Sequence, residues 1–282
     1  MADLHTKSEV INPPAKNTSE SVSNAPTLPA STVQLAPIEA AKRLAAFAAV
    51  DNHIRKDHKI IGIGSGSTVP YVVDRIKEQG PEANLGRIFI PTGFQSKELI
   101  VSAGLTLGDL EQYPSIDVTI DGADEVDANL QSIKGGGACQ LREKVLAEAA
   151  ETWVIVADYR KNSSILGTTW KQGVPIEVAQ FAYSAVLLRL QKLGAIKAGL
   201  RMGKMKAGPV VTDNGGFVID AVFPEEIYLN PAQLLTDIKL LTGVVEVGLF
   251  VDLAKAAYFG NEDGSVTARW ADGREEKIEA SL

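Results

Sequence analysis

Three short loops of this sequence carry residue types that can do chemistry, and the first is rich in glycine and hydroxyl groups. It spans residues 62–68 (GIGSGST), between an apolar segment and a segment with helical periodicity. Glycines let a ligand approach the backbone, and the helix that follows offers free N–H groups. We predict a phosphate-binding loop, and the alternative is a tight strand-to-helix turn capped by a hydroxyl. Ser67 at the third glycine position argues against a dinucleotide fingerprint, and no Gly-Lys-Ser/Thr follows as in a P-loop.

The second loop is acidic, with four carboxylates directly after an apolar segment, at Asp121, Asp124, Glu125 and Asp127. Such a cluster can be a solvated loop that caps a helix, or it can hold a metal. The spacing does not match an EF-hand, because Ala123 and the missing later ligands break that pattern. The chain's three histidines lie far from this loop in sequence, at His5, His53 and His58. We therefore predict no metal site here.

The third loop is residues 134–137 (KGGG), which lead into a helical segment that carries Glu143. Three consecutive glycines are costly to order, so they predict backbone that packs closely against a ligand or another segment. Glu143 lies in the first turns of the helix, where a carboxylate can serve as a base or simply complement the helix dipole. Cys139 has no histidine nearby in sequence to activate it, so we predict a small buried thiol and not a nucleophile.

The segments around these loops alternate between strand and helix patterns. Strand patterns lie at residues 59–64, 86–91, 115–120 and 153–157, and helical patterns at 37–50, 69–78, 95–103 and 141–151. This alternation predicts right-handed βαβ units and a parallel, Rossmann-like sheet. Ligands bind outside the carboxyl ends of the strands in such sheets, so the three loops should converge.

After about residue 172 the pattern changes to a smaller α+β arrangement. Strand patterns at 174–178, 209–212, 216–221 and 244–251 and helical patterns at 183–193 and 231–242 give a βαββαβ order, typical of a split-βαβ, ferredoxin-like domain. Asp213-Asn214-Gly215 predicts a hairpin turn, and Glu262-Asp263-Gly264 predicts another. The predicted divisions are a disordered tail at 1–32, a Rossmann-like catalytic domain at 33–172, a small α+β domain at 173–251, and a return to the catalytic domain at 252–282.

Composition narrows the classes of function. The formal net charge of −7 over 282 residues argues against a nucleic-acid-binding surface over the whole protein. The single cysteine excludes an internal disulfide and fits a cytosolic protein, and no apolar run is long enough to span a bilayer. Residues 2–31 are rich in Ser, Asn, Pro, Thr and Ala, which predicts disorder. A transit peptide is the alternative, but Asp3, Glu9 and Glu20 argue against it.

Eight segments, in chain order, resemble the A-type ribose-5-phosphate isomerase family: IGIGSGST, PTGFQS, DGADEVD, IKGGGACQLREK, ADYRK, VPIEV, VTDNGGFVID and GVVEVGLF. The likeness runs from about residue 42 to residue 264, and the combined set is highly specific although each piece alone is weak. One departure is Cys139, where the family usually has a small, alanine-like residue. The tail lies outside the family pattern.

The resemblance implies interconversion of D-ribose 5-phosphate and D-ribulose 5-phosphate through an enediolate, in the non-oxidative pentose phosphate pathway. It also implies a cytoplasmic homodimer or larger oligomer without metal or organic cofactor. Glu143 would accept the carbon-bound proton, Lys134 would stabilise the enediolate, and Asp121 is our choice for the acid that opens the sugar ring. The implied substrate-binding residues are Ser65, Gly66, Ser67, Thr68, Asp121, Gly122, Ala123, Asp124, Lys134, Gly135, Gly136, Gly137, Lys161 and Lys42. Among them Ser67, Thr68, Lys161 and Lys42 would contact the phosphate.

Two other functions fit a sheet of this kind less well. An amino-sugar-phosphate deaminase would use a histidine in its site, and no histidine follows His58. A sugar-phosphate-sensing regulator would need a DNA-binding helical domain, and the N-terminal tail has too few apolar residues to form one. Production of a ketose from ribose 5-phosphate without added metal separates the isomerase from both.

Overall fold

The structure, a computed structural model, describes residues 35–279, and the predicted tail at 1–32 lies outside this range. The first half contains, in chain order, α1 (Pro37–His53), β1 (Ile60–Ile63), α2 (Val69–Glu78), α3 (Gly80–Asn84), β2 (Ile88–Pro91), α4 (Phe94–Ser102), β3 (Ile116–Asp121), β4 (Glu125–Val126), β5 (Ser132–Ile133), α5 (Gln140–Ala149) and β6 (Ala150–Asp158). The second half contains β7 (Val174–Val178), α6 (Tyr183–Lys192), β8 (Lys197–Leu200), β9 (Phe217–Val222), α7 (Glu225–Tyr228), α8 (Pro231–Lys239), β10 (Val244–Val247), β11 (Leu249–Phe250), β12 (Ala254–Gly260), β13 (Ser265–Trp270) and β14 (Glu275–Glu279). Short 3₁₀ helices lie at Tyr159–Lys161 and Gln180–Ala182.

A seven-stranded sheet with the order β14-β13-β12-β6-β3-β1-β2 forms the larger layer. Strands β2, β1, β3, β6 and β12 are parallel, and β13 and β14 extend the edge antiparallel. Parallel strands are buried on both faces, which accounts for the continuous apolar runs of β1 and β6. The Rossmann-like parallel sheet predicted from the βα alternation is confirmed.

Helix α1 covers one face of this sheet. Pro37 occupies its first turn, where a missing N–H costs nothing, and Ala45, Ala46 and Ala49 are fully buried on its inner face. These small side chains let the helix lie close to the sheet. At Gly260 a Cβ atom would lie 1.8 Å from the Ala41 carbonyl oxygen, so only glycine fits where β12 passes under α1.

A separate four-stranded antiparallel sheet has the order β10-β7-β9-β8. The order of its strands along the chain is therefore 4-1-3-2, with α6 and α8 in the connections, and the ferredoxin-like prediction is confirmed. The predicted strand at 209–212 is wrong. The partner of β9 is β8, and residues 209–212 form only the isolated bridges Met202–Pro209 and Val211–Phe217. Pro209 has no N–H to give to a ladder.

The single strand predicted at 244–251 is divided at Gly248. Strand β10 belongs to the antiparallel sheet, whereas β11 pairs with β5 in a three-stranded sheet of order β11-β5-β4. A Cβ at Gly248 would lie 2.1 Å from the Lys134 carbonyl oxygen, and the Lys134 N–H donates to the Gly248 carbonyl at 2.9 Å. This glycine therefore lets the chain pass directly beside the start of the KGGG loop.

The predicted division at residues 172/173 and 251/252 stays a prediction. Strands β12–β14 follow the antiparallel sheet along the chain and lie in the seven-stranded sheet. Within residues 35–279, no helix has the length and apolar character that crossing a bilayer requires.

Candidate active site

One cavity lies where the loops after β1, β3, β5 and β6 meet. Strands β1, β3 and β6 are neighbours in the sheet, so the loops after their carboxyl ends lie side by side. The wall consists of Ser65, Gly66, Ser67, Thr68, Gly122, Ala123, Asp124, Lys134, Gly135, Gly136, Gly137, Glu143, Asp158 and Lys161. Of the residues predicted for the site, all but Asp121 and Lys42 lie on this wall.

The loop after β1 is fixed by Asp121 from beneath. The Ser65 N–H donates to Asp121 Oδ1 at 2.9 Å, and a Cβ at Gly64 would lie 2.0 Å from the same oxygen. Gly66 has a φ of 101°, in the region that favours glycine. Its N–H donates to Gln95 Oε1 at 2.9 Å, so Gln95 of the PTGFQS segment supports this loop. No local pattern of the sequence singles out Gln95 within that segment.

Glu143 is 3% exposed, and its two carboxylate oxygens have different surroundings. Oε1 accepts a hydrogen bond from the Ser65 hydroxyl at 2.5 Å and lies 3.4 Å from Lys134 Nζ. Oε2 is buried and has no hydrogen-bond partner among the residues described. One oxygen is thus held in place, while the other has no partner among the residues described.

Lys134 is 2% exposed and lies between two carboxylates. Its Nζ lies 3.0 Å from Asp121 Oδ1, donates to the Gly122 carbonyl, and lies 5.6 Å from the centroid of the Phe250 ring. Burial acts to lower the pKa of Lys134, but Asp121 and Glu143 outweigh burial and raise it. The ammonium is therefore a fixed positive charge in the cavity wall.

Asp121 is fully buried and lies behind Lys134, not on the cavity wall. Its Oδ1 accepts from Lys134 and from the N–H groups of Ser65 and Gly122, the latter at 2.7 Å. Burial raises the pKa of Asp121 above its ordinary value, and Lys134 opposes that rise. The choice of Asp121 as ring-opening acid stays a prediction, and Asp121 does not line the cavity. Its contacts instead position Lys134 and the loop after β1.

Asp124 does lie on the wall, half-buried beside the glycine loop. Its Oδ2 accepts from the Gly136 N–H at 2.6 Å, and a Cβ at Gly136 would lie 2.6 Å from Asp124 Oδ1. Burial raises the pKa of Asp124, while the Gly136 N–H acts to lower it. A carboxyl with a raised pKa is better able to carry a proton near neutral pH.

The glycine loop itself is anchored from the antiparallel sheet. Arg201 Nη1 donates to the carbonyls of Gly135 and Gly136, at 2.8 and 3.0 Å. Its guanidinium also pairs with Asp220, through Nη2–Oδ1 at 2.5 Å and Nε–Oδ2 at 2.9 Å. Sequence reasoning missed Arg201, because the residue lies more than 60 positions from the loop and no local pattern links the two.

The predicted phosphate lysines have different positions. Lys161 lies on the wall, and its Nζ makes no hydrogen bond or ion pair with any residue in the range 35–279. Lys42 does not lie on the wall, and its Nζ pairs with Glu39 Oε1 at 2.8 Å. Asp158, which sequence reasoning also missed, lies on the wall, but its carboxylate is held by Arg160 at 2.8 Å.

The two later acids of the acidic loop have structural roles. Glu125 is fully buried and accepts from the N–H groups of residues 167–170, at 2.7 to 3.3 Å, and from the Thr168 hydroxyl at 3.0 Å. Asp127 Oδ1 accepts from the N–H groups of Asn129 and Gln131 in a turn. The helix-capping alternative is wrong, since the short strands β4 and β5 follow this loop.

We expect Glu125→Ala to lower the free energy of unfolding by about 2–4 kcal/mol, because four backbone N–H groups lose their acceptor. Chemical denaturation and the melting temperature measure this loss. Glu111→Ala, at an exposed position, is the control and should leave both quantities near those of the parent. A melting temperature of Glu125→Ala equal to that of the parent would contradict the structural role of this carboxylate.

Cys139 precedes α5 and is only partly buried. Burial raises the pKa of its thiol to about 12, so the thiol is neutral near pH 7. Within residues 35–279, no group of three or more His, Cys, Asp and Glu side chains is arranged to hold a metal ion.

Comparisons with known proteins agree on one family. A family model described as ribose 5-phosphate isomerase A (phosphoriboisomerase A) matches residues 88–264. A ribose-5-phosphate isomerase from Cryptococcus neoformans var. neoformans is 69% identical over 88% of this chain and 82% of its own. The enzyme of that name from Schizosaccharomyces pombe is 57% identical over 89% of this chain and 90% of its own.

Solved structures give the same result. Ribose 5-phosphate isomerase A from Methanocaldococcus jannaschii superposes with a TM-score of 0.75 at 34% identity, covering 82% of this chain and 99% of that one. A D-ribose-5-phosphate isomerase in complex with phospho-erythronic acid also has a TM-score of 0.75, at 36% identity, covering 86% of this chain and 99% of that one.

Proposed function

This chain belongs to the ribose 5-phosphate isomerase A family, and from that membership and its cavity we infer that it interconverts D-ribose 5-phosphate and D-ribulose 5-phosphate. The observation that carries the assignment of a base is the Glu143 carboxylate, which lies on the cavity wall with Oε1 anchored and Oε2 without a partner. The bound phospho-erythronic acid of a solved relative, a phosphorylated four-carbon acid, supports the same class of substrate.

Glu143 Oε2 is the proposed proton acceptor. It takes the proton from C2 of the open-chain aldose, and the electron pair of that bond moves toward the C1 carbonyl to give an enediolate. Transfer of the C2 hydroxyl proton to the C1 oxygen and return of the abstracted proton to C1 then give the ketose. The hydrogen bond from Ser65 and the ion pair with Lys134 fix the carboxylate, so little reorientation is needed at the moment of transfer.

Lys134 is the proposed electrophile. The enediolate carries negative charge on oxygen, and an ammonium held rigidly at the wall of a partly desolvated cavity stabilises that charge strongly. The backbone of Gly135, Gly136 and Gly137 borders the same space and can approach the sugar because it has no side chains.

The phosphate is proposed to bind at another part of the wall, at Ser67, Thr68 and Lys161. The two hydroxyls precede α2, whose N-terminus favours an anion. Lys161 is the lysine of the wall without a carboxylate partner among residues 35–279, whereas Lys134 is paired twice. Lys42 is better assigned to supporting α1 through Glu39.

We assign ring opening and the transfer of the hydroxyl proton to Asp124 and not to Asp121. Asp124 reaches the cavity and has a raised pKa, so it can hold and release a proton there. None of the histidines in the described part of the chain lies on this wall, which counts against the deaminase alternative. We further propose that the enzyme works in the cytoplasm as a homodimer, as the family resemblance implies.

Catalysis is expected to survive chelation. Ketose formation from ribose 5-phosphate should be equal before and after exhaustive EDTA treatment, because every proposed step uses only side chains and backbone of this chain. A loss of activity that one divalent ion restores would overturn the metal-free mechanism.

We expect Lys161→Ala to raise KM for ribose 5-phosphate more than it lowers kcat. A point charge on the phosphate acts on the ground state and the transition state alike, so its loss weakens binding at both stages. Steady-state kinetics measure the two constants, and Lys171→Ala, at an exposed position off the cavity wall, is the control. A collapse of kcat with an unchanged KM would show that Lys161 is misassigned.

A further inference from the structure

Lys161 has an aromatic neighbour that the reaction does not use. Its Nζ lies 5.3 Å from the centroid of the Trp170 ring, which is within the range of a cation–π interaction. Both side chains are half-buried, and Trp170 is not part of the cavity wall. The ring thus contacts the ammonium without lining the cavity.

The Trp170 ring is itself held rigidly. Its Nε1–H donates to the Gly173 carbonyl at 2.9 Å, and its apolar part packs against the core beneath the antiparallel sheet. Its backbone N–H is the last of the four that donate to the buried Glu125 carboxylate, at 3.3 Å. Glu125 begins β4, directly after Asp124 of the cavity wall. The same short stretch of chain therefore fixes both the cavity wall and the support of Lys161.

A lysine without such a support would be poorly placed. Its four-carbon stem has many rotamers, and holding one of them costs conformational entropy on binding. Asp158 lies on the same wall, but its carboxylate pairs with Arg160 and not with Lys161. Arg160 Nε donates to Asp158 Oδ1 at 2.8 Å, and Arg160 Nη2 donates to Oδ2 at 3.1 Å. An aromatic face attracts the ammonium without neutralising its charge, so the lysine stays available to an anion.

We propose that Trp170 is a positioning residue that holds the Lys161 ammonium toward the cavity through its ring face and so strengthens binding of the substrate phosphate. This inference rests on the proposed role of Lys161 as a phosphate contact. Trp170 touches neither the substrate nor the reacting atoms, and its effect is transmitted through Lys161.

The test compares Trp170→Phe with Trp170→Leu. Both variants lose the hydrogen bond to Gly173, so they differ chiefly in the aromatic face. Trp170→Leu should raise KM for ribose 5-phosphate roughly 2- to 5-fold with kcat little changed, and Trp170→Phe should stay closer to the parent. Trp270→Leu is the matched control, because it also removes a ring beneath a cation (Arg274, 4.9 Å) but lies off the cavity wall.

A double-mutant cycle with Lys161→Ala separates this inference from the proposed function. Once Lys161 is absent, Trp170→Leu should add no further increase in KM. If Lys161→Ala raises KM but Trp170→Leu does not, or if Trp170→Leu has its full effect without Lys161, the positioning role is overturned. If Lys161→Ala leaves KM unchanged, the phosphate assignment itself fails and the positioning role fails with it.

Tryptophan fluorescence gives a readout that does not depend on turnover. Titration of the parent with inorganic phosphate should change the emission as the ammonium above Trp170 engages the anion. The change should vanish in Trp170→Phe and in Lys161→Ala, and it should persist in Trp270→Leu. An equal change in Trp170→Phe would overturn the inference, even if Trp170→Leu proves too unstable for kinetics.

Discussion

Glu143→Gln is expected to fold, to bind a sugar phosphate, and to lose about 10²–10⁴-fold in kcat. Glutamine keeps the length of the side chain and an oxygen that can accept from the Ser65 hydroxyl, but it cannot take a carbon-bound proton. Exchange of the substrate C2 hydrogen with solvent deuterium should fall in parallel with turnover, because both depend on the same proton transfer.

A simple helix-dipole role for Glu143 leads to a different result. In that case the substitution would cost about 0.3–1 kcal/mol of stability and leave turnover near normal. Glu148→Gln, at an exposed position on the same helix, controls for a change of charge on α5 and should leave kcat unchanged. If Glu143→Gln turns over within a few-fold of the parent, the base lies elsewhere, and Asp124 is the next carboxylate to test.

Lys134→Met is expected to lower kcat about 10²–10³-fold and to lower the free energy of unfolding by about 3–5 kcal/mol. The loss of activity follows from removal of the charge that stabilises the enediolate. The loss of stability follows because Asp121, which is fully buried, loses the ammonium that pairs with its carboxylate. Kinetics under conditions where the variant is folded separate the two effects.

Lys144→Met is the matched control for Lys134→Met. Lys144 lies on α5 and is also buried. It pairs with Glu246 at 2.7 Å, and its Nζ lies 4.9 Å from the centroid of the same Phe250 ring, but it does not line the cavity. Lys144→Met should lower the free energy of unfolding and leave kcat per folded molecule unchanged. Equal losses of kcat in the two variants would show that Lys134 acts only through folding.

The stability of Lys134→Met should also depend on pH in a defined direction. Burial already raises the pKa of Asp121, and loss of the cation raises it further. A carboxyl whose pKa is higher in the folded state binds more protons there, so its contribution to stability improves as pH falls from the folded pKa toward the unfolded one. The difference in unfolding free energy between variant and parent should therefore shrink on acidification. Adding Asp121→Asn should recover part of the stability at neutral pH without restoring kcat.

Local patterns of the sequence predicted most of the elements that position this site. Alternating strand and helix patterns identified β1, α2, β3, α5 and β6, and the parallel sheet that they build followed from the handedness and shortness of βα connections. The prediction of a strand at 209–212 is wrong although the turn at 213–215 is present, with Gly215 at a φ of 80°. The strand that pairs with β9 lies further upstream, at β8. Hairpin signals identify the turn and not the ladder that flanks it.

The sequence by itself determined the positions of the three loops, the place of Glu143 at the start of a helix and the alternation of strands and helices, because glycine content, helix-start position and hydrophobic period are properties of neighbouring residues. Only the tertiary structure decided how the charged groups pair. It placed Asp121 behind Lys134, turned Glu125 and Asp127 away from the cavity, paired Lys42 with Glu39, and brought Arg201 to the glycine loop across more than 60 positions. The pairing of a buried charge depends on which groups lie within a few ångströms after folding, and separation along the chain does not encode that distance.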